Sequence, residues 1–149
     1  MIVARADPRT PGCALLLAQS HALMRAMFAE EDNHFLDIDA LCAPDIRFFA
    51  ATEGEAVLGT GAIALRDGYS EVKSMFTAPA ARGLGVADAV LTCLIDTSKA
   101  EGRPLLRLET GPGLDAAHRL YVRHGFVPCG PFGAYRSGPG SLFFERPAD

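Results

Sequence analysis

Positive charge is not in excess, the cysteines are not clustered, and no apolar run is long. Fourteen Lys and Arg face eighteen Asp and Glu, a formal net charge of −4, so a nucleic-acid footprint is not expected. No stretch reaches the roughly 18 consecutive apolar residues that a membrane helix needs, and no membrane partner is expected. Cys13, Cys42, Cys93 and Cys129 lie far apart and form no C-x-x-C pair, which argues against a metal cluster and for reduced, mostly buried thiols. Met1 to Arg5 lacks a signal-peptide core, so a cytoplasmic protein is expected. Internal repeats and low-complexity linkers are also missing. What remains is 149 residues, 49% of them apolar, enough for one domain spanning 1–149 with a proper core.

The chain is organised around Glu71 to Ala87. Residues 71–77 alternate and carry β-formers, which predicts a strand. Ala78-Pro79 breaks it, because Pro79 has no N–H and disfavours the α region for Ala78. Arg82-Gly83-Leu84-Gly85-Val86-Ala87 then runs into an apolar segment with the length of a buried helix. A glycine-rich turn between strand and helix suits an anion. The first helical N–H groups lack intrahelical acceptors, the helix dipole is positive there, and glycines let a phosphate approach the backbone. The dinucleotide fingerprint would need a third glycine where Asp88 stands, and the P-loop would need Gly-Lys-Ser/Thr, which is absent.

In chain order, Met1 to Ala6 predicts a strand and Asp7 to Gly12 a turn. Thr10 suits a helix cap and Pro11 a first helical position. Leu16, Leu17, Ser20, Leu23, Met24 and Met27 recur at helical spacing through Cys13–Phe28. Residues 29–34 read as a polar loop, and Asp37 caps one or two helical turns. Asp45–Thr52 and Ala56–Leu65 form a hairpin that continues into the Glu71 strand. After the Leu84–Ala100 helix come a strand at Leu105–Thr110, a helix at Leu114–His124, a strand start at Phe126-Val127, a Gly/Pro-rich loop at Pro128–Gly140 and a closing strand at Ser141–Glu145. A right-handed crossover makes the Leu105 strand parallel to the Glu71 strand. The fold class is α+β, a mixed sheet of about six or seven strands with some four helices.

Two motifs in this order carry a resemblance. Arg82-x-x-Gly85-x-Ala87 is similar to the pyrophosphate loop of the GNAT N-acetyltransferases, and Ala117-x-x-Leu120-Tyr121-x-x-x-Gly125-Phe126 is similar to the signature of that family's last helix and strand. The segments Glu71-x-Lys73-Ser74-Met75, Leu108-Glu109-Thr110-Gly111, Cys129-Gly130-Pro131-Phe132-Gly133-x-Tyr135 and His34-x-Leu36-Asp37-x-Asp39-x-Leu41 resemble one bacterial branch of acetyltransferases. The likeness covers nearly the whole chain. It implies the GNAT fold and acetyl-CoA as cosubstrate, with no metal. The backbone N–H groups of Leu84, Gly85, Val86 and Ala87 would hold the pyrophosphate, with Arg82 and Gly83 beside them. Met75, Phe76 and Thr77 would pair with the pantetheine arm as an added strand does. Tyr121 would be the general acid that protonates the departing thiolate. The family often has Asn seven residues before this tyrosine; here that residue is Leu114.

Direct acyl transfer to an amine also needs a base, because an alkyl ammonium has a pKa of roughly 10. Glu71, on the central strand beside Lys73, and Glu109, late on the partner strand, are both candidates. For Glu71 the plainer reading is a salt bridge to Lys73 or an arginine; Glu109 could bind the ammonium or serve as base. His118 reads more simply as a helix-surface histidine. His34, in the loop after the first helix, is a candidate substrate selector. Phe132 and Tyr135 are candidate exposed aromatics that roof the acceptor pocket or cover a homodimer contact, since family members are often dimers. The expected activity is acetyl transfer from acetyl-CoA to a primary amine of a small molecule or amino-acid-like acceptor. A protein N-acetyltransferase and an acyl-CoA-binding regulatory module without efficient catalysis are the alternatives.

Overall fold

The structure, a computed structural model, describes residues 1–149. Strand β1 (Ile2–Arg5) leads into helix α1 (Pro11–Met27), which has its proline in the first turn. Thr10 does not cap that helix. Its hydroxyl turns back and donates to the Asp7 carbonyl at 2.8 Å. Residues 29–34 are not wholly irregular, since Glu30–Asp32 forms a single 3₁₀ turn. The short helix α2 (Ile38–Leu41) is capped as its sequence predicts, the Asp37 carboxylate accepting from the Ala40 N–H at 2.8 Å.

Strands β2 (Ile46–Glu53), β3 (Ala56–Leu65) and β4 (Ser70–Thr77) form an antiparallel meander. Helix α3 (Val86–Ala100) crosses to β5 (Leu105–Thr110), which lies parallel to β4. Helix α4 (Asp115–Arg123), β6 (Val127–Cys129) and β7 (Leu142–Pro147) complete the chain. The seven strands run in the order β1-β2-β3-β4-β5-β7-β6, so the last strand is inserted between β5 and β6.

Strand alternation decides which helix covers which face. Phe49, Ala51 and Ile63 point to one side, against Val90, Leu91 and Leu94 of α3 and Leu120 of α4. Phe48, Ala50, Ala62 and Ala64 point to the other, against Cys13 and Leu17 of α1 and Leu41 of α2. Gly59 and Gly61 let α3 approach the sheet closely. A Cβ on Gly59 would stand 2.6 Å from the Val86 side chain, and one on Gly61 would stand 2.5 Å from that of Val90. Of the four free cysteines only Cys13 is buried and Cys42 is exposed, so the expectation of mostly buried thiols does not hold.

Candidate active site

The site begins where the sheet comes apart. Strands β4 and β5 pair only at Ser70 with Leu106 and Glu71 with Arg107. Beyond those pairs the two strands diverge, and their facing backbone edges are left open. A bulge sharpens the divergence. Thr60 stands opposite Phe76 and Ala62 opposite Lys73, so β4 carries an extra residue there. Ser74 takes a left-handed φ of 57°, unique among the non-glycine residues. Bulges bend a strand and re-aim its groups. The buried Thr60 hydroxyl fixes this one by donating to the Ser74 carbonyl at 2.9 Å.

A cavity of about 770 Å³ fills the opening, within the size range of small-molecule sites. At one end lie Arg82, Gly83, Gly85, Val86, Ala87 and Asp88. Gly83 and Gly85 have φ of 80° and 78°, and no side chain caps α3, so its first N–H groups are available to an anion. The exposed Leu84 side chain turns away from the cavity. Met75, Phe76 and Thr77 line the middle. Arg82 sits over the Phe76 ring, 5.8 Å from its centre. Asp88, in place of a third glycine, ties the turn to α4. It accepts from Arg123 at 2.8 Å and bonds the His124 ring at 2.9 Å, and these two bonds hold its carboxyl below the ordinary value.

Tyr121 and Glu109 both reach this cavity. The Tyr121 ring is buried among Phe126 and Phe144. Burial raises its pKa, so the hydroxyl stays protonated, and it has no hydrogen-bond partner within the protein. Glu109 has a side chain 12% exposed, with His34 Nδ1 3.5 Å from its Oε2. Ser141 donates to the same oxygen at 2.9 Å. Burial lifts the Glu109 carboxyl above the ordinary value, opposed by Ser141, His34 and Lys73. His118 bonds the Gly111 carbonyl through Nε2 at 3.0 Å, and its ring is tilted against Phe144.

Glu71 stands apart from that cavity. It is buried on β4 and engaged on every side: Lys73 Nζ at 3.0 Å, Arg66 at 3.3 Å and the Tyr135 hydroxyl at 2.5 Å. These three partners hold the carboxylate in place, and it does not line the cavity. The expected salt bridge to Lys73 is present, with an arginine and a tyrosine added. Phe132 and Tyr135 do not roof the cavity either. Phe132 is buried, in edge contact with Tyr69, Tyr135 and Phe143, and Tyr135 is half-buried beneath the loop with its hydroxyl on Glu71. Packing among the four rings draws these aromatics inward, which replaces the expectation of exposed aromatics.

Comparison with known proteins agrees with this geometry. The model of the acetyltransferase (GNAT) family matches residues 16–126. The chain belongs to that family. An IAA acetyltransferase of Azospirillum brasilense is 39% identical over 147 residues, covering 97% of this chain and 96% of the relative. The uncharacterized N-acetyltransferase YedL of Escherichia coli is 37% identical over 149 residues, covering 97% and 94%. Among solved structures, a candidate acyl-CoA N-acyltransferase of Klebsiella pneumoniae superposes with TM-score 0.83 at 25% identity, covering 99% of this chain and 97% of that one. This GNAT protein is therefore an acetyl-CoA-dependent N-acetyltransferase, and its mixed seven-stranded sheet is the family's fold.

Several residues of the GNAT site escape a reading of the sequence. Ser141 supports Glu109 across the β5–β7 pair, Thr60 pins the bulge, and Met24, Phe28 and Phe35 wall the cavity. None belongs to a local motif. Only the β5–β7 pairing, absent from any local pattern, brings Ser141 to Glu109.

Proposed function

We propose that this GNAT enzyme transfers acetyl directly from acetyl-CoA to the primary amine of a small-molecule acceptor, with Tyr121 as acid and Glu109 as base. The observation that supports this reading most is one continuous cavity. It is lined at one end by the glycine turn, along its length by the bulged β4 edge, and at the far end by Tyr121 and Glu109. In this reading the pyrophosphate rests on the N–H groups around Gly85 and Val86, and the pantetheine arm adds to the open edge of Met75 to Thr77. The thioester then lies in the gap between β4 and β5.

Glu109 takes the proton of the acceptor ammonium. Its raised pKa makes it a better base than an ordinary glutamate, and His34 and Ser141 hold it in place. The free amine attacks the carbonyl carbon, so a C–N bond forms and the C–S bond breaks. A backbone N–H of the bulged strand polarises the carbonyl oxygen. Tyr121 hydrogen-bonds the departing sulfur and supplies its proton, and it is restored by the second proton that the nitrogen sheds as the amide forms. A thiol has a pKa of roughly 8.5, below that of the buried phenol, so this hydrogen bond matters most while negative charge builds on sulfur.

Free-thiol release from acetyl-CoA should appear in the presence of an acceptable amine, and the amine should gain one acetyl group by mass spectrometry. Tight acetyl-CoA binding by calorimetry, with no amine acetylated across a broad panel, would reject the proposal.

A further inference from the structure

Charge is unevenly placed along the cavity. Arg82, Arg119 and Arg123 line it together with Asp115 and with Asp88, which pairs with Arg123 at 2.8 Å, whereas its α1 end carries the carboxylates of Glu109 and Asp32, with the His34 ring 3.5 Å from Glu109. Asp32 lies against Gly140 and is paired with no cation. The lysine that reaches this region is already committed. An ammonium has three donors, and those of Lys73 are taken by Glu71 at 3.0 Å, the Tyr135 hydroxyl at 2.6 Å and the His34 carbonyl at 3.0 Å. His21, stacked on Phe35 with ring centres 4.1 Å apart, is held below the ordinary histidine value by burial and is uncharged at neutral pH. Arg25 rests over the Phe35 ring at 5.1 Å and does not line the cavity.

The rest of this end is apolar. Met24, Phe28 and Phe35 form a wall, with Leu23 at its rim. Phe28 is fixed against Gly111, where any Cβ would strike the ring. An acceptor entering here meets carboxylates for its ammonium and rings for its body; the lysine at this end is committed, and the His34 ring is already set against Glu109. A carboxylate on the acceptor would stand beside Glu109 and Asp32 with no lysine or arginine set against it, and that like-charge contact costs more than an apolar contact returns.

We infer that the acceptor is a primary amine carried on an aromatic or other apolar body and lacking a carboxylate. This narrows the acceptor of the site proposed above and rests on that reading.

The test compares kcat/KM for phenethylamine, phenylalanine and putrescine on the intact enzyme with acetyl-CoA. Phenylalanine has the same body with a carboxylate added, and putrescine has two amines and no ring. Phenethylamine should exceed phenylalanine by at least about 100-fold, as uncompensated like charges cost several kcal/mol. It should exceed putrescine by at least about 10-fold for the lost apolar contact. Equal or better use of phenylalanine would reveal a carboxylate receptor and overturn the inference while leaving N-acetylation intact. Better use of putrescine would overturn it too, by showing that charge rather than the wall selects. If none is acetylated, calorimetry with the CoA-saturated enzyme separates the two ideas. Binding in the expected order supports the acceptor class and counts against the chemistry; no binding overturns both.

Discussion

At the scale of single residues, two side chains separate binding from chemistry. Tyr121 has no protein partner for its hydroxyl, so Tyr121→Phe removes one oxygen from the cavity and leaves the packing among Phe126 and Phe144 in place. Turnover should fall by about 10²–10⁴-fold, the usual scale for a positioned acid, while acetyl-CoA affinity by calorimetry stays within about twofold. Unchanged turnover would discard the role. Glu109 makes a prediction with a sign. Its carboxyl lies above the ordinary 4.5, and a base must be deprotonated to act. Activity should therefore be full above that raised value and be lost as pH falls through it. The acid limb of kcat/KM should lie above the usual glutamate range and vanish, with most of the rate, in Glu109→Gln. Glu71→Gln should instead act through folding, because it leaves Lys73 and Arg66 without their buried counter-charge. A lowered Tm with an unmoved pH profile would separate it from Glu109.

At the scale of elements, the glycine turn behaves as a unit. A Cβ on Gly85 would meet nothing within 4 Å, but its φ of 78° is one that branched side chains avoid. Gly85→Val should thus disturb the first turn of α3 without crowding the core. The expected outcome is weaker acetyl-CoA binding by about tenfold or more, for roughly 1–2 kcal/mol of backbone strain, with only a small loss of Tm. A variant that binds acetyl-CoA normally would remove the turn from the site. The turn and the Ala117–Phe126 segment were legible in the sequence because their shape is local: a few residues fix the glycine turn and the helix end. The strands and helices were legible because apolar periodicity reports on burial directly. The fate of Glu71 was not. Lys73 is its neighbour on the same strand face, but the Tyr135 hydroxyl comes from 64 positions away, and only tertiary packing selects it. Phe132 and Tyr135 misled for the same reason. A Gly/Pro-rich loop reads as exposed, yet Tyr69 and Phe143 supply an aromatic cluster that buries Phe132.

At the scale of the whole molecule, stability and site share parts. His21 sits buried at the wall of the cavity and below its ordinary value of 6.5. The unfolded chain binds this proton more readily than the folded one. The contribution of neutral His21 is therefore full above pH 6.5 and is lost progressively as pH falls from there toward its folded value. Melting curves at about pH 7.5 and 5.5 should show a drop in Tm for the wild type and a smaller drop in His21→Gln. An identical drop in both would assign the acid sensitivity elsewhere.

The inserted strand gives the molecule a schedule. Ribosomes deliver a chain from its N-terminus, so β1 to β4 and α1 emerge before the strands that complete the sheet. Strand β5 then waits with an uncovered edge, and β6 has no neighbour, until residues 142–147 emerge and slide between them. The same segment brings Ser141 to Glu109. The nascent protein thus carries a sticky strand edge late into synthesis, and Glu109 gains its Ser141 partner only when that edge closes.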